Sequence, residues 1–167
     1  MKRLYLIGGP MGVGKTAACR ELQSRLERSA FLDGDWCWDM RPFQVTAETK
    51  RMVMDNICCL LNNFLRCSAV DHVIFCWVMH RREILDELLS RLDTGDCAVY
   101  PVSLVCTAAA LKARLEGDIR VGRRTPDVVE RSLGYLPLYG ALDTEKIDVS
   151  ALSPAETAAE ILRRAGV

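Results

Sequence analysis

Leu4-Tyr5-Leu6-Ile7-Gly8-Gly9-Pro10-Met11-Gly12-Val13-Gly14-Lys15-Thr16 is an apolar run that breaks into glycines and gives way to the helix-forming stretch Ala17-Ala18-Cys19-Arg20-Glu21-Leu22. Gly9, Gly14, Lys15 and Thr16 fill the spacing G-x-x-x-x-G-K-[ST], placed between a strand and a helix as a phosphate-binding loop requires. Glycine lets the backbone turn its N–H groups inward, and these with the helix N-terminus form a concave site for anionic oxygens. Gly9, Pro10, Met11, Gly12, Val13, Gly14, Lys15 and Thr16 are therefore expected to hold a nucleotide. Lys15 should reach the β- and γ-phosphates as a point charge, and the Thr16 hydroxyl should join the shell of a Mg²⁺ ion.

A chain of 167 residues is long enough to bury a sizeable core and is expected to form one domain, residues 1–167. Its 22 basic and 22 acidic side chains cancel, which argues against a nucleic acid backbone or an anionic membrane as partner, so any cationic site is local. Lys2 and Arg3 precede an apolar run of only four residues, too short for a signal peptide or a membrane span. A cytosolic protein is the expectation. The eight cysteines include no C-x-x-C pair and read as reduced, small buried hydrophobes.

Beyond the loop, apolar spacing predicts a helix to about Arg28, then a short strand over 30–32 ending at Asp33-Gly34-Asp35 and followed by Trp36 and Trp38. Two carboxylates at the C-terminal end of a strand face the crevice where open α/β sheets bind ligands. Thr46 caps a long helix to about Arg66, and Val70 to Met79 reads as a strand buried on both faces. A helix through Leu85 and Leu92, a strand over 98–106 made irregular by Pro101, and a helix from Thr107 to about Glu116 follow. The polar segment 117–126 carries two glycines with Arg120, Arg123 and Arg124. Thr125 and Pro126 read as N-cap and N1 of the next helix. A strand over 146–149 and a helix opened by the capping box Ser153-Pro154-Ala155-Glu156 complete the chain. Five strands alternating with helices imply a parallel sheet with helices on both faces.

With the loop, the acidic strand end and the arginine segment in place, the chain resembles the small P-loop kinases of the shikimate kinase, gluconate kinase and chloramphenicol phosphotransferase group. The resemblance implies a three-layer α/β/α P-loop NTPase fold with a five-stranded parallel sheet and a small lid at about 117–126. It implies ATP and Mg²⁺ as cofactors and a small-molecule hydroxyl as phosphate acceptor. In that group an Asp-x-Asp at the end of the second strand handles metal and acceptor, and Asp33 and Asp35 match it. A mobile arginine lid covers the nucleotide there, which Arg120, Arg123 and Arg124 match. Val78-Met79-His80-Arg81-Arg82 stands where shikimate kinases carry three glycines, which speaks against shikimate as the acceptor. No acidic residue closes the third strand in the Walker B manner, so Asp33 is expected to take over that duty.

These residues supply what phosphoryl transfer needs: a held triphosphate, a metal ion, an oriented acceptor oxygen and cations for the spreading charge. Asp35 is the first candidate for the base and Asp33 the second. Arg114, one turn before the lid, is a candidate phosphate contact. Residues 148–152 are candidates to hold the adenine, and His80, Trp36 and Trp77 to line an acceptor pocket. The alternative reading is a nucleotide-binding ATPase or switch module with no small-molecule acceptor.

Overall fold

The N-terminal apolar run forms β1 (Lys2–Gly8), the central strand of a five-stranded, all-parallel sheet ordered β2-β3-β1-β4-β5 in this computed structural model, which describes residues 1–167. The other strands are β2 (Ser29–Asp33), β3 (His72–Cys76), β4 (Cys97–Val105) and β5 (Glu145–Asp148). They alternate with α1 (Lys15–Ser24), α2 (Ala47–Arg66), α3 (Arg82–Ser90), α4 (Ala108–Arg120), α5 (Val128–Tyr135) and α6 (Pro154–Arg164). Short 3-10 helices cover Gly34–Trp38 and Leu136–Ala141. This is the three-layer α/β/α P-loop architecture that the sequence implied.

The two-residue period of the strands divides the core. Tyr5 and Ile7 pack with Ile74 and Cys76 against Cys19 and Leu22 of α1, Leu111 and Leu115 of α4, and Ile161 of α6. Leu4 and Leu6 pack with Val73 and Phe75 against Val53, Ile57 and Leu61 of α2 and Leu88 of α3. Each such buried side chain contributes roughly 1.5–3 kcal/mol relative to exposure, and successive residues of β1 collect it on opposite faces. Every strand therefore points its C-terminal end at the same edge, where β1 opens into the phosphate loop and β2 ends at Asp33.

Several boundaries differ from the sequence reading. α1 stops at Ser24 rather than Arg28, which has left-handed φ of 51° and donates through Nε to Asp71 at 2.6 Å. β3 is confined to His72–Cys76 within the expected 70–79, because Asp71 and His72 donate their N–H groups to Arg28 O and Met79 turns to φ 36°. Pro101 lies inside β4 without breaking it, since β5 joins only from Val102 and β4 is an edge strand before that point. Cys59 and Cys67 are exposed, not buried, whereas Cys19, Cys37, Cys58, Cys76 and Cys106 are buried, and all eight are free thiols. No helix is long and apolar enough to cross a membrane.

Thr46 caps α2 as expected, but through a reciprocal pair with Thr49: Thr46 Oγ1 accepts from Thr49 N at 3.1 Å, and Thr49 Oγ1 accepts from Thr46 N at 2.9 Å. Thr46→Ala should lower stability by about 1 kcal/mol, read as a lower urea midpoint with an unchanged m-value.

Candidate active site

The phosphate loop is held open by contacts made to its carbonyl groups, so its donors stay free. Val13 N bonds Pro10 O at 3.3 Å, while the N–H groups of Gly12, Gly14, Lys15 and Thr16 make no hydrogen bond within the protein. Gly14 is the N-cap of α1 with φ 105°. Lys15 folds back over the loop and donates to Gly9 O at 2.8 Å and Pro10 O at 3.0 Å. Burial lowers its pKa; the Arg124 charge acts the same way, and the carboxylates of Asp35 and Asp33 oppose it. Ser132 of α5, fully buried, donates to Met11 O at 2.6 Å. Tyr139, also fully buried, donates to Val78 O and lies under Gly8.

Asp33 is only 5% exposed, and a carboxylate that deep needs partners. Its Oδ2 accepts from Thr16 Oγ1 at 2.6 Å and its Oδ1 from Asp35 N at 3.0 Å, so it also caps the 3-10 helix. Asp-Gly-Asp is thus the start of a helical turn set against the loop. Gly34 is dictated by Trp77, because a Cβ there would stand 2.5 Å from the indole ring. Asp35 is exposed on that turn, at the same edge of the sheet as the loop; desolvation of its carboxyl and then the neighbouring Asp33 charge raise its pKa, against the pull of Lys15, Arg124 and the Trp77 N–H.

Across the loop, α4 and the turn after it form the far wall of a cavity of about 860 Å³, lined by Gly12, Val13, Gly14 and Thr16 on one side and by Arg114, Asp118, Arg123 and Arg124 on the other. Arg114 ties the two together: Nη1 donates to Val13 O at 2.9 Å and Nη2 to Val149 O at 2.5 Å. Its guanidinium grips backbone carbonyls of the phosphate loop and of the β5–α6 connection while lining the cavity. Leu152, Pro154 and Thr157 continue the wall beyond Val149.

The segment 117–126 departs from a simple loop. α4 runs to Arg120, so residues 117–120 are helical, and Arg120 is an exposed helix-end residue outside the cavity wall. The turn begins only at Val121. It is a Schellman motif: Arg123 N bonds Asp118 O at 2.9 Å and Gly122 N bonds Ile119 O at 3.0 Å. Gly122 at φ 74° occupies the left-handed position that the motif demands. The reversal brings Arg124 Nε to Asp118 Oδ2 at 3.2 Å. The N-cap of α5 is Asp127, not Thr125, whose hydroxyl instead donates to Asp127.

The aromatic residues divide. Trp77 abuts Gly34, and Trp38 stands between it at 6.5 Å and Phe43 at 5.3 Å between ring centroids. Trp36 turns away toward α1, edge-on to Phe31 at 5.3 Å and under the Arg20 guanidinium at 5.1 Å. His80 stacks on Tyr135 at 4.2 Å; burial and then Arg81 lower its pKa, and its Nδ1 is buried without a partner. Asp118, Ser132 and Tyr139 were missed by the sequence reading. Gly122 six residues past Glu116 was the available signal for the first, and none marked the other two.

The geometry fits the implied groups. The hydroxyl and carboxylate oxygens of Thr16 and Asp33 suit a hard cation such as Mg²⁺, and the unpartnered N–H groups at a helix start suit phosphate oxygens. A family model described as an AAA domain matches residues 6–130. No curated protein matches the chain in sequence. Among solved structures, a tunicamycin resistance protein of Deinococcus radiodurans superposes with TM-score 0.74 at 21% identity, covering 100% of this chain and 97% of that one. A gluconokinase from Sinorhizobium meliloti gives 0.66 at 19%, covering 96% and 91%. A shikimate kinase from Acinetobacter baumannii, solved with shikimate, gives 0.62 at 21%, covering 99% and 93%. At these identities the likeness speaks for the fold.

The raised pKa of Asp35 has a consequence for stability. The folded state holds the Asp35 proton more tightly than the unfolded state, so ionising this group costs stability as pH rises from the unfolded carboxylate value through the folded one. Asp35→Asn should therefore melt above the parent at pH 7, and the gap should close as pH falls below about 4; scanning calorimetry across pH reads both.

Proposed function

The chain belongs to the AAA domain family of P-loop proteins, and from that premise we propose that it is an ATP-dependent kinase that moves the γ-phosphate to a hydroxyl of a small molecule. We read residues 1–167 as one kinase domain acting in the cytosol. The observation that carries this reading is the chain Thr16–Asp33–Asp35: a hydroxyl and a buried carboxylate paired beside the phosphate loop, with a second, exposed carboxylate two residues on whose backbone N–H is bonded to the first.

The loop N–H groups and Lys15 bind the triphosphate, Lys15 leaving the carbonyls of Gly9 and Pro10 for phosphate oxygens. Thr16 and Asp33 would hold the metal ion through their hydroxyl and carboxylate oxygens. Mg²⁺ supplies neutralisation of phosphate charge when bound. Arg114, Leu152, Pro154 and the backbone at Val149 form the wall that takes the adenine. Asp35 orients the acceptor hydroxyl and accepts its proton as the acceptor oxygen bonds to the γ-phosphorus and the bond from that phosphorus to the bridging oxygen breaks, its electron pair leaving with ADP. Its raised pKa makes it a stronger base than an ordinary surface carboxylate. Arg124, with Arg123 behind it, takes up charge on the transferring group; Arg120, exposed at the end of α4 outside the cavity wall, is placed less well for this. Trp77 and Trp38, contiguous with Asp35, form the acceptor wall.

ADP release measured over sugar acids, nucleosides, shikimate-like alcohols and aminoglycoside or phenicol antibiotics tests the reading. One class should stimulate release; slow basal hydrolysis indifferent to all of them would instead favour a nucleotide-binding switch. With the stimulating acceptor, Asp35→Asn should cut turnover roughly 10²–10⁴-fold while ATP affinity by calorimetry changes little. Lys15→Ala should weaken ATP binding by roughly 10- to 100-fold, the loss of a hydrogen bond from a charged donor.

A further inference from the structure

Asp118 is the one acidic side chain among the residues lining the nucleotide cavity. A carboxylate in the wall of a triphosphate site repels its ligand unless cations offset it. It has two: Arg124 Nε at 3.2 Å and Arg123 Nη1 at 4.0 Å. The Arg124 contact runs through Nε alone and leaves both Nη nitrogens, the fork that meets phosphate oxygens two at a time, with no partner in the protein. From this position the Arg124 charge is felt at Lys15 and at Asp35. Asp118 is itself fixed, because its carbonyl accepts Arg123 N in the Schellman turn that ends α4.

We propose that Asp118 is a positioning residue that grips Arg124 by Nε and orders its Nη fork for the γ-phosphate before nucleotide arrives. This rests on the kinase reading. A free arginine must surrender its rotamer freedom on binding phosphate; one already held by Asp118 has surrendered it beforehand, which should improve affinity about two- to tenfold. The pair spans the helix end, six residues apart, and only the left-handed Gly122 between them permits it. Stability gains little, since the two side chains are 29% and 35% exposed.

A double-mutant cycle tests this, with ATP affinity in Mg²⁺ read by calorimetry for the parent, Asp118→Ala, Arg124→Ala and the double variant. Asp118→Ala should weaken ATP about two- to tenfold in the parent and have no effect once Arg124 is gone. Asp118→Asn, which keeps an acceptor oxygen, should fall between parent and Asp118→Ala, and nucleotide-free melting temperatures should stay together. Tighter ATP binding by Asp118→Ala, an unchanged affinity, or the same loss with and without Arg124 overturns the proposal. Lys15→Ala separates the two levels. If it weakens ATP binding as expected while Asp118→Ala does nothing, only the positioning role fails; if ATP binds Lys15→Ala and Arg124→Ala as it binds the parent, the kinase reading and the positioning role fail together.

Discussion

A strand in the middle of a parallel sheet has no face to give to water, and β1 meets that demand with four consecutive residues at most 1% exposed. Everything else is arranged to cover it. β3 and β4 flank it, α1, α4 and α6 cover one face, and α2 and α3 the other. Because all five strands run the same way, each delivers its next residues to one edge: the loop from β1, Asp33 from β2, Trp77 to His80 from β3, Thr107 from β4 and Val149 from β5. The site is the set of things that happen where buried strands run out.

In a chain of zero formal net charge, charges of both signs are concentrated at that edge. Lys15, Arg124 and Arg123 are interleaved with Asp33, Asp35 and Asp118, and two of the three carboxylates have partners within the site. Asp33 spends its lone pairs on Thr16 and the Asp35 amide. Asp118 spends its own on the two arginines. Asp35 is left with the least compensation, and its raised pKa reports that shortfall. The site is close to neutral at rest, and a ligand's charge must be met by redirecting cations already in place.

Much of this was legible because it is local. A glycine-rich run between strand and helix, Thr46 before a long apolar stripe, and Ser153-Pro154 before another each carry their meaning within a few residues, and each lies where expected. The errors share one physical origin, which is that long-range contacts decide where an element stops. α1 ends early because the chain must turn at Arg28 to meet Asp71. β3 is trimmed for the same reason, and the carbonyls that Arg114 holds, those of Val13 and Val149, lie far from it in sequence. The glycines and arginines of 117–126 looked like a loop by composition. Only pairing the N–H groups of Gly122 and Arg123 with the carbonyls of Ile119 and Asp118 reveals a helix that continues to Arg120 and then reverses. Ser132 and Tyr139 carry no sequence signal at all, since a buried hydroxyl looks like any other until its acceptor is known.

The partners in this site have one more property in common. Lys15 rests on the carbonyls of Gly9 and Pro10, Arg114 on those of Val13 and Val149, Ser132 on that of Met11 and Tyr139 on that of Val78. A carbonyl is present whatever side chain its residue bears. Half of each contact is therefore independent of the acceptor's side chain, so a substitution at position 10, 11, 13, 78 or 149 leaves the hydrogen bond itself in place, although Val13 and Val149 also fill the core. Mutational tolerance is thereby concentrated on the acceptor side of these contacts and withheld from a handful of donors, an economy by which such a scaffold can outlast nearly all of its sequence.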